Sequence, residues 1–188
     1  MEKISKAQTS LSGYNNNWYK PGSYLKQFLW YITSRLFVNT YIPFPMLVKR
    51  SILRLFGAEI GRNVVIKPKV NIKYPWFFKA ENDIWIGENV WIDNLTMVNI
   101  ASNVCLSQGC MLLTGNHDYT TTTFDLIVKP ITIENGAWIG AKATVCPGVT
   151  VGSHAVLTVN SVANKDLESY GIYQGIPGVF VKRRNIKS

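Results

Sequence analysis

Between Ile133 and Val162 one six-residue pattern of apolar and polar positions recurs five times. Its first place is aliphatic each time (Ile133, Ile139, Val145, Val151, Leu157), and four residues later comes a small residue (Ala137, Ala143, Val149, Ala155, Ser161). A period of six matches neither the 3.6-residue recurrence of a helix nor the simple alternation of a two-sided strand. It predicts a short strand followed by a corner. Three such units close a triangular coil of about eighteen residues, and stacked coils pair their strands in parallel around a buried aliphatic column. The unit continues upstream from Ile60, Ile66 and Ile72, from Ile86, Ile92 and Val98, and from Ile100 and Leu106. Its phase slips by two residues from Ile84 to Ile86 and from Val98 to Ile100, as small insertions bulging from corners would cause. Gly61, Gly87, Gly140 and Gly152 each follow an inward aliphatic residue directly, where a missing Cβ eases tight backbone geometry.

Residues 24–56 have a different pattern. Apolar clusters at Phe28, Leu29, Trp30, Ile32, Leu36 and Phe37, then at Leu47, Ile52, Leu53, Leu55 and Phe56, recur at helical spacing on either side of Pro43 and Pro45. Two short amphipathic helices separated at the prolines are predicted. No apolar run reaches the roughly 18 to 20 residues of a membrane span. The pair either lies on a membrane surface as a peripheral contact or caps the repeat, and repeat folds require terminal caps. The expected organisation is therefore a helical and aromatic segment over 1–57, a β-helix over 58–168 with an extruded loop at 113–131, and a C-terminal extension over 169–188.

The chain's 188 residues suit one functional unit, and 47% hydrophobic against 16% charged residues argues for a packed core. A net charge of +9 makes anionic partners attractive without choosing among nucleic acid, membrane and phosphorylated small molecules. Three cysteines, Cys105, Cys110 and Cys146, cannot all pair within one chain and show no Cys-x-x-Cys spacing. A reducing, cytoplasmic compartment fits them. The polar stretch 1–17 lacks the apolar centre of a signal peptide.

The repeats break between Leu113 and Ile131, and the stretch Leu112-Leu113-Thr114-Gly115-Asn116-His117-Asp118 opens the break. A break in a regular solenoid must project outward, so His117 is presented on a loop. With Gly175-Ile176-Pro177-Gly178 near the C-terminus, the five units and this loop resemble the hexapeptide-repeat acyltransferases, a family of left-handed parallel β-helices. Within that family, the Ile84-Trp85-Ile86-Gly87 and Cys105-Leu106-Ser107-Gln108-Gly109 runs look most like the colanic acid biosynthesis acetyltransferase group.

The resemblance implies an acetyl-CoA-dependent O-acetyltransferase in which His117 is the general base, since removing a hydroxyl proton as oxygen attacks a thioester suits an imidazole that is neutral near pH 7. It places Asp93 and Asn94 at the acceptor, or in a hydrogen-bonded corner. Asp118 orients the ring, binds acceptor hydroxyls or is merely solvated. For the acyl donor it points to Trp138, to Ala141 and Val159 through backbone groups, and to Lys165, Lys182 and Arg183 near the anionic phosphates of coenzyme A. The chain departs from the family pattern in having Asn164 before that lysine and Val179 after the Gly-Ile-Pro-Gly element. A homotrimer with clefts between neighbours, and a saccharide acceptor from exopolysaccharide or lipid-linked precursor synthesis, follow from the resemblance alone. An amino sugar, serine or an antibiotic is the alternative acceptor.

Rival functions are weaker. The γ-type carbonic anhydrases share the coil but hold their metal with three histidines, whereas this chain has only His117 and His154, so no metal is expected. His154 falls at an outward corner and is read as structural or solvent-facing. A non-catalytic scaffold would use the column without the loop. Nucleic-acid binding rests on charge alone, with no recognition helix or aromatic platform, and is not expected.

Overall fold

The computed structural model describes residues 7–187 and contains the expected parallel β-helix of triangular section. Each coil runs through three faces in the same order. Face A stacks Glu59–Ile60, Phe78–Ala80, Val98–Ile100, Ile131–Ile133 and Thr150–Val151. Face B stacks Val65–Ile66, Trp85–Ile86, Cys105–Leu106, Trp138–Ile139, Val156–Leu157 and Gly171–Gln174. Face C stacks Asn71–Ile72, Trp91–Asp93, Met111–Leu113, Thr144–Val145 and Val162–Ala163. Pairing within the faces is parallel and in register, so that Ile66, Ile86, Leu106, Ile139 and Leu157 form one inward column. A final strand, Val179–Arg183, turns back antiparallel on Gly171–Gln174.

The five repeat positions from Ile133 to Leu157 are fully buried, and the small positions from Ala137 to Ser161 are nearly so. The glycine after the aliphatic residue answers to the neighbouring coil. A Cβ built on Gly152 would stand 2.6 Å from Ser169 N, closer than packed atoms tolerate. Coils at this spacing have room for backbone only.

One part of the expected phasing is corrected. Ile84 does not sit at a slip: it fills the second inward place of a unit that begins at Ala80, a start hidden in the sequence because alanine is small for that place. The real departures all occur at one edge, where face C hands over to face A. The inward residue passes from Ile72 to Ala80, from Ile92 to Ile100 and from Leu112 to Ile133 there, while the other two corners keep the spacing of six. The added residues lengthen the face A strands and create an extra buried column, Phe78, Val98 and Ile131. Phe78 supplies the volume that Ala80 lacks.

Helices α1 (Tyr24–Phe37) and α2 (Met46–Leu55) form where the apolar spacing predicts, and they cap the first coil. Ser23 accepts from Lys26 N at the start of α1, satisfying one of the orphan donors of a helix N-terminus. Backbone N–H groups of each coil donate to the next, as Gly61 N does to Ala80 O, leaving the first coil's carbonyls aimed at the cap. Each face gets a side-chain donor. Arg54 Nη2 reaches Ile60 O at 2.6 Å, Lys49 Nζ reaches Ile66 O at 3.0 Å, and Trp30 Nε1 reaches Ile72 O at 2.9 Å. An unpaired buried carbonyl costs about 1–3 kcal/mol, so these three contacts close an edge that would otherwise be open. Lys49 is itself wholly buried, which holds its ammonium below the usual lysine range.

Candidate active site

The longest insertion, between Leu113 and Ile131, folds as a two-stranded antiparallel hairpin, Gly115–His117 against Leu126–Val128. Its base is welded to the coil below. Buried Thr114 donates through Oγ1 to Asp93 O at 3.0 Å and accepts from Thr96 N at 3.2 Å. At the tip, Asp118 N donates to Asp125 O. An N-terminal arm crosses the hairpin, with Ser10 N donating to Thr122 O at 2.7 Å and Tyr19 Oη to Leu95 O at 2.6 Å.

His117 is held from two sides. Its ring stacks on Phe124, centroids 4.3 Å apart and planes 7° from parallel, and Tyr14 of the arm packs against it at 5.7 Å. Nδ1 lies 2.9 Å from Phe124 O. A carbonyl only accepts, so Nδ1 carries the hydrogen and, in a neutral ring, Nε2 carries the lone pair. That is the arrangement a general base requires. Phe124 adopts φ 54°, a left-handed conformation unfavourable for a bulky residue, and the tip turn thereby brings its carbonyl and ring to the histidine together.

Asp118 does not touch the ring. Its Oδ1 accepts from Thr120 N at 2.9 Å and from the Thr120 hydroxyl, and these bonds hold its carboxyl below the usual carboxylate range. It shapes the tip and does not orient the ring, the first of the three roles expected of it. Asn94 takes the hydrogen-bonded corner, one of its two expected places: fully buried, it accepts from Tyr74 N and donates to Tyr74 O and Phe77 O.

Asp93 is different. It ends its face C strand at the same edge as His117, with Lys73 Nζ 3.0 Å from Oδ1 at an angle that does not make a hydrogen bond. The same oxygen is buried against the Lys73 ammonium, with no hydrogen-bond partner. It faces a groove of about 500 Å³ between α1 and face C, lined by Tyr24, Phe28, Tyr31, Tyr74 and Trp91 among others. Burial and the Asp93 charge together keep the Tyr74 hydroxyl protonated to higher pH than usual.

The expected donor residues fall elsewhere. Trp138 stands half-exposed on face B, its Nε1 donating to Ser107 Oγ at 2.8 Å. Ala141 and Val159 follow it at the edge between faces B and C, linked where Asn160 N donates to Ala141 O. Lys165 lies at the edge between faces C and A, in line with the hairpin. Lys182 and Arg183 belong to the last strand beside face B, and Arg183 is engaged by Glu168 and Ser169. His154, as expected, is structural, stacked on Tyr170 at 4.7 Å. Since face B of a triangular prism lies opposite the edge between C and A, a single chain sets His117 and Trp138 on opposite sides.

Two residues beside the histidine escaped the sequence reading. Phe124 acts through its carbonyl, which no side-chain pattern announces, and Tyr14 is remote in sequence. Among the described residues no three His, Cys, Asp or Glu side chains converge as a metal site.

No family model matches the chain. A hexapeptide-repeat-containing acetyltransferase from Vibrio cholerae, crystallised with acetyl coenzyme A, superposes with TM-score 0.79 at 20% identity, covering 99% of this chain and 100% of that one. Galactoside O-acetyltransferase of Escherichia coli (strain K12) is 29% identical over 146 residues, covering 73% of this chain and 69% of the relative. The protein WcaF of the same strain is 37% identical over 133 residues, covering 71% of this chain and 73% of its own. The chain belongs to the hexapeptide-repeat acyltransferases, left-handed parallel β-helices. WcaF carries the name of an acetyltransferase of colanic acid biosynthesis.

Proposed function

We propose that the protein transfers the acetyl group of acetyl-CoA to a hydroxyl of a saccharide, an exopolysaccharide or lipid-linked precursor, with His117 as general base. The single observation that carries this reading is the bond between His117 Nδ1 and Phe124 O, which leaves Nε2 free to accept a proton. In the step, Nε2 takes the acceptor's hydroxyl proton as oxygen attacks the thioester carbonyl. Backbone N–H groups hold the oxyanion, the C–S bond then breaks, and the departing thiolate recovers the proton from the imidazolium. No covalent enzyme intermediate is needed. Asp93, ion-paired with Lys73 and lining the groove beside α1, orients the sugar by accepting from one of its hydroxyls.

Trp138, Ala141 and Val159 bind the donor, with Lys165, Lys182 and Arg183 near its phosphates. Lys165 shares the hairpin edge, but the body of the coil separates the other five from His117, which supports a homotrimer in which the hairpin edge of one copy meets face B of the next. The likeness to WcaF and to the galactoside enzyme supports a sugar acceptor.

Calorimetric titration of acetyl-CoA into wild type and His117→Ala, followed by thiol-release assays over a panel of sugars, tests the reading. Comparable donor binding by both proteins, with turnover only by wild type, is expected. Failure of both to bind acetyl-CoA would leave a scaffold with no transferase role.

A further inference from the structure

Helix α1 is built inside out. Its buried residues, Trp30 and Ser34, lie on one side, with Phe37 packed beside them. At 3.6 residues per turn the opposite side is occupied by Leu25, Leu29, Ile32 and Leu36, which are 67%, 48%, 44% and 55% exposed. A helix lying on a water-facing protein surface puts polar residues there. Phe28 and Tyr31 extend the apolar face toward the groove at Asp93, and Tyr41 and Ile42 of the connector stand exposed beside α1.

The charge is equally one-sided. Residues 7–58 contain six basic side chains and no acidic one. Lys49 and Arg54 are spent on the first coil, Lys26 lies over the Trp76 ring and Arg50 is half-buried, but Lys20 and Arg35 remain exposed, and Lys69 adds its ammonium over the exposed Tyr41 ring at 4.8 Å. The nearest acidic residue in sequence, Glu59, is paired with Lys79. Among the described residues no helix is long and apolar enough to cross a membrane.

We propose that α1 and the connector after it form a docking surface for an anionic phospholipid bilayer, with α1 lying in the interface plane. Apolar side chains enter the acyl boundary while lysines and arginines meet the headgroups, the two contributions on which such helices depend. The groove that ends at Asp93 opens beside this face, through Tyr24, Phe28 and Arg35, so a saccharide carried on a lipid would meet the acceptor residue from the bilayer side. That last consequence rests on the transferase reading; the lipid contact does not.

The test is co-sedimentation of the full chain with vesicles of phosphatidylcholine, with and without phosphatidylglycerol. Wild type should bind the phosphatidylglycerol vesicles, less at raised salt. Arg35→Glu should weaken binding about fivefold or more, and the triple change Leu25→Ser, Leu29→Ser, Ile32→Ser should abolish it. These side chains are exposed, so melting temperature and acetyl-CoA binding should stay at wild-type values. Absence of vesicle binding, or binding indifferent to the substitutions, overturns the proposal. So does a triple variant that changes the oligomeric state in sedimentation velocity, since the face would then be a contact between copies.

Discussion

The two corners that flank face B and the corner from C to A are made by the same repeat, yet only the last departs from it. The regular corners keep six residues between inward positions in every coil, as from Ile133 to Ile139 to Val145, whereas the third corner lengthens three times and grows the hairpin on its longest departure. Regular corners are stacked so tightly that a Cβ is excluded at Gly152, which leaves them no freedom to present chemistry. The irregular one gathers Asp93, His117 and Lys165 on a single edge. A solenoid supplies rigidity through its period and function where the period fails.

Four substitutions sharpen that contrast. His117→Ala should lower acetyl transfer by about 10²- to 10⁴-fold, the usual worth of a positioned base, with no change in melting temperature. Gly152→Ala, at a regular corner, should do the reverse. It should cost about 1–3 kcal/mol in chemical denaturation by overpacking coil against coil, while turnover per folded molecule stays near wild type.

Phe124→Gly keeps the left-handed turn but removes the ring stacked on His117, so a loss of roughly tenfold in kcat is expected, with KM for acetyl-CoA little altered. An equal fall in a variant that keeps the ring would show that the tip turn matters and the stacking does not.

Lys49→Met probes the cap, and should cost about 1–3 kcal/mol by orphaning Ile66 O. Burial lowers the Lys49 pKa, so between its folded value and the ordinary lysine value the unfolded chain binds more protons and stability rises with pH. The difference between wild type and Lys49→Met in denaturant midpoints should therefore widen as pH climbs toward the ordinary lysine range. A constant difference would show that the ammonium is not desolvated. The smallest effect concerns thiols: Cys110, buried and with its pKa pushed up to about 12, should resist iodoacetamide in the native protein while Cys105 and Cys146 react slowly.

Much of this was legible in the sequence where a periodic side-chain signal existed. The run from Ile133 to Val162 specifies its coils residue by residue, and the break after Leu113 locates the hairpin and His117. Phasing failed upstream because Phe78 and Ala80 share the inward volume that one aliphatic residue fills elsewhere, so the repeat looks absent where it is only redistributed. The site's finer parts were illegible for a different reason. Phe124 serves His117 through a carbonyl, Arg54, Lys49 and Trp30 serve the first coil by reaching other carbonyls, and backbone acceptors leave no mark on residue type. Asn94 and Asp118 are polar residues in the right neighbourhood, but the Asn94 amide is spent on a corner and one Asp118 oxygen on the tip turn.

The central claim is that the base on one edge works with a donor surface on the opposite face, and therefore with another copy. It is tested most directly by co-expressing two inactive variants, His117→Ala and Trp138→Asp combined with Val159→Asp, and measuring thiol release from acetyl-CoA by the purified mixed oligomers with an accepted sugar. If the site is shared between copies, random assembly should restore about a quarter of wild-type activity, since each site then has an even chance of an intact edge and of an intact face. Activity no greater than that of the two parent variants would contradict a shared site and place base and donor within one chain.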